Sequence, residues 1–400
     1  MVAQVKKAGT DVYWMLCIMG LFAILSSTMS KNPVLKLYAT SLGTPTGLMG
    51  VIASASTIPG MLVSLPAASL SDIFGRRKIL LVSTLIFASA PFTYLLVTQW
   101  WHLAIVRFYH GFATAIFVPV AEATIAELFP AKRGERISLF NSATYVGRGA
   151  APFLGGYILF LTDYSYHTLY VAVGIAGATA FTITLLFLAE RKRSANQPSG
   201  AKGTAIRMFR GWYEVTRCRG VLVVSLVQAA QYYAYGAVEF FLVGYLNDVV
   251  GLNPFSIGII TGSQVVALVI ARPFMGRVSD RVGRRVPIVL GSVISGLLLP
   301  LFPFSTQMPV LALLSVGYGL GFAMAVSSTS PLISELVPQE LVGTSIGFIS
   351  TMMDVGQTLG PIVSGLVLST SLQYVGLFAS LSLLLAFSLV MFILARTQRK

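Results

Sequence analysis

Uncharged apolar runs, each long enough to cross a bilayer, follow one another along the whole chain with short polar breaks between them. They fall at 12–39, 45–70, 79–98, 102–127, 138–162 and 167–189, then at 220–247, 254–275, 286–305, 308–335, 341–369 and 373–395. About 20 apolar residues make one helical crossing, so the pattern predicts an all-α membrane protein with twelve transmembrane helices. Composition agrees: 55% of the 400 residues are hydrophobic and 10% charged, against roughly 25% charged in soluble chains. Little is left over for an extramembrane domain. The first run begins near Tyr13 and outlasts the short h-region of a signal peptide, so it is expected to be retained.

Charge gives the chain a direction. Lys and Arg total 28 against 14 Asp and Glu, a net charge of +14. Lys6, Lys7, Arg76, Arg77, Lys78, Lys132, Arg133 and Arg136 lie at the N-terminus or in alternate loops. A further cluster fills 191–219, and Arg277, Arg281, Arg284, Arg285, Arg396, Arg399 and Lys400 continue the alternation. Basic residues spaced this way mark cytoplasmic loops. The expectation is a multi-pass protein of the cell membrane with both termini in the cytoplasm, bound to lipid and not to nucleic acid.

The chain also repeats itself. Asp72 and Asp280 are 208 residues apart, as are the starts of Ile125-Ala-Glu-Leu-Phe-Pro and Ile333-Ser-Glu-Leu-Val-Pro; Gly147, Pro152 and Gly156 return at Gly356, Pro361 and Gly365 with an offset of 209. A constant offset across several helices is the mark of a duplicated unit. We expect two pseudo-symmetric six-helix bundles, 1–190 and 220–400, joined by a basic linker over 191–219 that resides in the cytoplasm.

Two turns carry related motifs. Asp72, Gly75, Arg76 and Arg77 in the first half match Asp280, Gly283, Arg284 and Arg285 in the second, and Gly276 opens the second copy. Glycine can take a backbone angle closed to other residues, aspartate can accept from an arginine or a helix N-terminus, and the arginines hold the turn inside. This loop resembles the signature of the major facilitator superfamily. Gly147-Arg-Gly-Ala-Ala-Pro152-Phe-Leu-Gly155-Gly156 is similar to the fifth-helix signature of its drug:proton antiporter group, and Arg107-Phe-Tyr-His-Gly111 resembles that group's fourth-helix motif. The sequence departs from the pattern at Ala68 and Ala151, and the eleventh span carries its own copy with Gly356, Gly360 and Pro361. The resemblance implies helices 1, 4, 7 and 10 around a central cavity, 2, 5, 8 and 11 between the halves, and 3, 6, 9 and 12 outside. Read physically, these Gly and Pro residues give surfaces on which helices approach closely.

Charges within a bilayer are costly and point to function. Lys31, Arg107, Arg148, Glu239 and Asp354 lie in predicted spans. Lys31 and Glu239 are 208 residues apart and so occupy equivalent places in the two halves, which makes them candidate partners, with Glu239 the first candidate for a titrating group and Asp354 the second. Arg107, by resemblance, is a cation involved in proton coupling or substrate handling, with His110 on the next turn. Gln228, Gln231, Tyr232 and Tyr235 recur at helical spacing with Glu239 and are expected to line a pocket. Glu122, Glu127 and Glu335 are expected to pair with loop arginines as a latch, with Arg272 in the same role.

The sequence contains no P-loop, metal set or nucleophile constellation, so no enzyme, cofactor or metal is expected. The expected activity is proton-coupled secondary transport by alternating access, exporting a small amphipathic organic compound, by a monomer. Three cations in the first half keep open an uptake carrier or exchanger for an organic anion. A non-transporting sensor on the same fold would bind without flux.

Overall fold

The computed structural model describes residues 2–187 and 217–395. Apart from 217–219, the expected linker lies outside the described residues. Twelve long helical segments follow one another. They are α1 (Val2–Met29, resumed at Val34–Ser41), α2 (Met49–Ser54, resumed at Ile58–Phe74), α3 (Arg76–Thr93), α4 (Trp100–Leu128), α5 (Arg133–Leu161) and α6 (Tyr166–Phe187). The second half gives α7 (Arg219–Gly244), α8 (Pro254–Val282), α9 (Arg285–Leu298), α10 (Met308–Leu336), α11 (Val342–Leu368) and α12 (Gln373–Leu394). Among the described residues ten segments are both long and apolar enough to cross a membrane. The other two, α5 and α11, have 29 and 27 residues, ample for a crossing, but they hold the Gly-rich motifs and a mid-helix charge each.

Helix ends repeat as faithfully as the sequence. Glycines with positive φ among the described residues are Gly43 (+68°) and Gly75 (+95°) in the first half, Gly251 (+75°) and Gly283 (+89°) in the second. Each pair is separated by 208 positions. Gly75 and Gly283 thus stop α2 and α8 in a conformation that side-chain-bearing residues rarely adopt, and the turn residues stand where the motif predicted. α1 breaks at Ser30–Pro33, where proline lacks the N–H that would continue the ladder, and resumes as Val34–Ser41.

Two compact units result, and their boundaries depart from a clean division at the linker. The first holds the chain to Thr44, then Ala55 through α6, and Leu252–Gly262. The second holds Pro45–Ser54, α7 to Gly251, and the chain from Ser263 onward. Close helix crossings account for the exchange. Within the second unit, Gly50 stands against the Pro361 carbonyl of α11, where a side chain would overlap, and Ser54 Oγ donates to Thr358 O at 2.6 Å. Within the first, a Cβ on Gly258 would lie 2.5 Å from Pro152 O. The break in α2 at 55–57 falls where the chain passes from one unit to the other.

Packing inside each unit follows from the apolar faces. Leu16, Phe87, Phe117, Val120 and Phe140 form a buried core in the first, and Val221, Val224, Ile288, Ile333 and Phe392 in the second. Without water to drive association, such helices hold by close contact and by the few polar groups they share.

Candidate functional site

In the first unit the polar centre gathers on α4. Arg107 is 3% exposed, and its Nη2 donates to Ser56 Oγ at 2.5 Å in the break of α2. Gly111, one turn on, lets the Ser56 backbone approach α4 so closely that a Cβ would overlap its carbonyl. His110 is also buried, its Nδ1 3.4 Å from the Tyr94 hydroxyl, and its ring meets those of Phe87 and Tyr94 edge-on. Tyr94 stacks on Tyr170 at 4.1 Å, and Tyr170 donates to Ser30 O at 3.2 Å. Arg107 and His110 therefore sit within the helix bundle, held by α1, α2, α3 and α6. Ser315, the repeat counterpart of Arg107, is fully buried in α10.

Lys31 lies half-buried in the break of α1. Lys36, five positions on, is only 3% exposed and donates to Thr40 Oγ1 at 2.8 Å. Sequence reasoning overlooked Lys36 because it stands near the end of a predicted span, where a long cationic side chain can reach the interface. Its burial was the missing information. Arg148 is partly exposed in the middle of α5, and no salt bridge holds it among the described residues.

The predicted stripe on α7 divides in the second unit. Gln231 is 0% exposed and its Nε2 donates to Ser292 Oγ of α9 at 3.0 Å. Gln228, also buried, accepts from Thr329 Oγ1 of α10 at 2.6 Å. These amides are turned into the bundle, where a buried polar group needs a partner, so they do not line an open pocket. Tyr235 is buried and stacks on Phe322 at 4.6 Å. Tyr232 is the part-exposed member, packed edge-on against Phe322 at 5.1 Å, and its hydroxyl receives Arg272 Nη2 at 3.2 Å. Arg272 thus has Tyr232 as a partner within the second unit.

Glu239 is half-buried further along α7. Asp354 is half-buried in mid-α11, and among the described residues no salt bridge or hydrogen bond engages its carboxylate. Lys31 and Arg148 belong to the first unit, Glu239 and Asp354 to the second.

At the linker-side ends of the helices the two loop motifs build matching clusters. Arg76 bonds Ser71 and pairs with Glu127 of α4 at 2.6 Å. Its counterpart Arg284 bonds Ser279 at 2.7 Å, pairs with Glu335 of α10 at 2.9 Å and reaches Asp280. The Glu335 carboxylate, together with Asp280, holds the Arg284 guanidinium above its ordinary pKa. The Asp72 side chain lies outside the described residues. Glu122 takes no part in this: it accepts from Asn141 Nδ2 of α5 at 3.0 Å. The next arginines also correspond, Arg77 donating to Leu185 O at the end of α6 and Arg285 to Ala395 O and Phe392 O at the end of α12, where cations suit the negative pole of the helix. Gly276 has nothing within 4 Å of where a Cβ would be, so no close approach explains it.

Two copies of one helix plan, with ionisable groups inside both, agree with the family comparison. The model of the Major Facilitator Superfamily matches residues 16–238 and again 224–400. The chain belongs to this superfamily. It is a multi-pass membrane transporter for small molecules, as expected from the fold class. Multidrug resistance protein Stp of Mycobacterium tuberculosis is 23% identical over 89% of this chain and 75% of its own length. The probable galactarate/D-glucarate transporter GarP of Escherichia coli is also 23% identical, over 98% and 97%. A crystal structure of the nucleoside transporter NupG (D323A mutant) superposes with a TM-score of 0.79 at 17% identity, covering 95% of this chain and 99% of that one, which establishes the shared fold.

Proposed function

We propose that this transporter is a proton-coupled antiporter of the cell membrane, with cytoplasmic termini, that works as a monomer and exports small amphipathic organic compounds by alternating access. The observation that carries the reading is Asp354, a carboxylate in mid-α11 without a salt-bridge partner among the described residues. An acid inside a membrane helix is costly when ionised and accepts a proton readily when no cation holds its charge. Protonation from outside would neutralise it during reorientation, and release inside would reset it. Glu239, half-buried on α7, is the second candidate carrier. The part-exposed ring of Tyr232, backed by the buried Phe322 and Tyr235, offers an aromatic face beside Arg272, suited to a molecule with an apolar body and a polar end. The similarity to a protein named for multidrug resistance supports the same reading. In proteoliposomes holding a pH-sensitive dye, lipophilic cations are expected to evoke proton movement and organic anions are not.

One observation favours a second reading. Arg148 lies in mid-α5 without an acidic partner among the described residues, and one relative is named as a probable galactarate/D-glucarate transporter. A carrier for organic anions would use Arg148 as its binding cation, and the same dye experiment separates the two.

A further inference from the structure

At the linker-side ends of α9 and α12 a groove of about 350 Å³ is lined by Arg285, Val286, Val289, Leu290, Phe392 and Ile393. It lies wholly within the second unit, away from the α7, α8 and α11 groups considered above. Val286, Leu290 and Ile393 are 45%, 48% and 56% exposed, and on membrane-crossing helices such surface meets acyl chains. Among the described residues Arg285 is the one charged lining residue. Its Nη2 is fixed by Ala395 O at 2.8 Å and Phe392 O at 3.3 Å, and its guanidinium carbon stands 5.4 Å from the centre of the Phe392 ring. A guanidinium carries five N–H donors; the two carbonyls engage one nitrogen, so Nε and Nη1 keep donors that phosphate oxygens accept well.

We propose that this groove binds an acidic phospholipid of the linker-side leaflet, with the headgroup phosphate on Arg285 and an acyl chain along Val286, Leu290 and Ile393. Charge complementarity selects this occupant. The groove holds a fixed cation at the headgroup level of an otherwise apolar wall, and the chain continues beyond Ala395 with Arg396, Arg399 and Lys400, adding positive charge that attracts acidic lipid. A water-soluble anion would gain the same phosphate contact but would leave the apolar wall uncovered. Arg285 stays in place without the lipid because the end of α12 already holds it, so the site is preformed.

The test places a fluorophore on Ile393→Cys in a Cys218→Ser background and reconstitutes the protein in phosphatidylcholine vesicles containing nitroxide-labelled phosphatidylglycerol or nitroxide-labelled phosphatidylcholine. Quenching is expected to be several-fold more effective with the acidic lipid. Arg285→Gln should abolish that preference, and Arg285→Lys should retain most of it. Leu290→Trp, which fills the groove while keeping the arginine, should also lower it and serves if Arg285→Gln does not fold. Equal quenching by both lipids, a preference that survives Arg285→Gln or Leu290→Trp, or relief of quenching by inorganic phosphate at constant ionic strength would each overturn the proposal.

Discussion

Gly156 of α5 approaches Gly258 of α8 so closely that a Cβ on Gly156 would stand 3.0 Å from the Gly258 Cα. The same crossing recurs between Gly365 of α11 and Gly50 of α2, where the corresponding distance to the Gly50 nitrogen is 3.1 Å. Each crossing joins a glycine from the first half of the sequence to one from the second, and the repeat converts one into the other. At each crossing the glycines let the two helix backbones meet with no side chain between them.

Alanine at Gly50 or Gly258 is therefore expected to force its helix away from a backbone carbonyl. Overpacking of this kind costs about 1–3 kcal/mol. Thermal unfolding in detergent should show a lowered midpoint for both variants, with transport reduced more than stability alone explains. Unchanged unfolding in both would remove the close crossing from the account.

The glycines of the two turns should separate by conformation. Gly75 and Gly283 have φ of +95° and +89°, so alanine at either strains the backbone by about 1–3 kcal/mol. Gly276 meets no neighbour and lies within α8, so Gly276→Ala should be neutral or, by about 0.5–1 kcal/mol, stabilising. Unfolding curves of the three variants check this ordering.

The paired clusters Arg76–Glu127 and Arg284–Glu335 have carboxylates 57% and 55% exposed. Such ion pairs contribute about 0–1 kcal/mol each. Under the proposed alternating-access cycle, Glu127→Gln and Glu335→Gln should leave the unfolding midpoint nearly unchanged while altering the transport rate. A large stability loss without a rate change would make the clusters purely structural.

The α7 stripe predicts a division of effects. Gln231→Met should alter stability by about 1 kcal/mol through loss of the Ser292 bond and leave substrate preference intact. Tyr232→Ala should change preference among substrates of different polarity. Competition assays on both variants distinguish them, and a Gln231→Met variant with altered specificity would return Gln231 to the pocket.

Much of this was legible in the sequence. The helix count, the 208-residue repeat and the two turns follow from apolar run lengths and from glycines that only special backbone angles require. What periodicity could not supply was direction. Helical spacing put Gln231 and Tyr232 on one stripe, yet adjacent residues on a helix point about 100° apart, and partners on α9 and α8 drew one inward and the other toward Arg272. Glu122 looked like Glu127 in sequence, but Asn141 of α5 lay within its reach and, among the described residues, no salt bridge engaged it. The exchanged segments at 45–54 and 252–262 were equally hidden, because they depend on contacts between helices far apart in the chain.

The most direct test of proton coupling compares wild type, Asp354→Asn and Glu239→Gln in proteoliposomes, measuring radiolabelled lipophilic-cation movement against an imposed pH gradient and, separately, its exchange without one. The account predicts that wild type accumulates the cation against its gradient, and that Asp354→Asn loses accumulation while keeping exchange. Accumulation that persists in Asp354→Asn but vanishes in Glu239→Gln would move the proton to α7. Accumulation undiminished in both variants, or movement of organic anions alone, would contradict proton-coupled export.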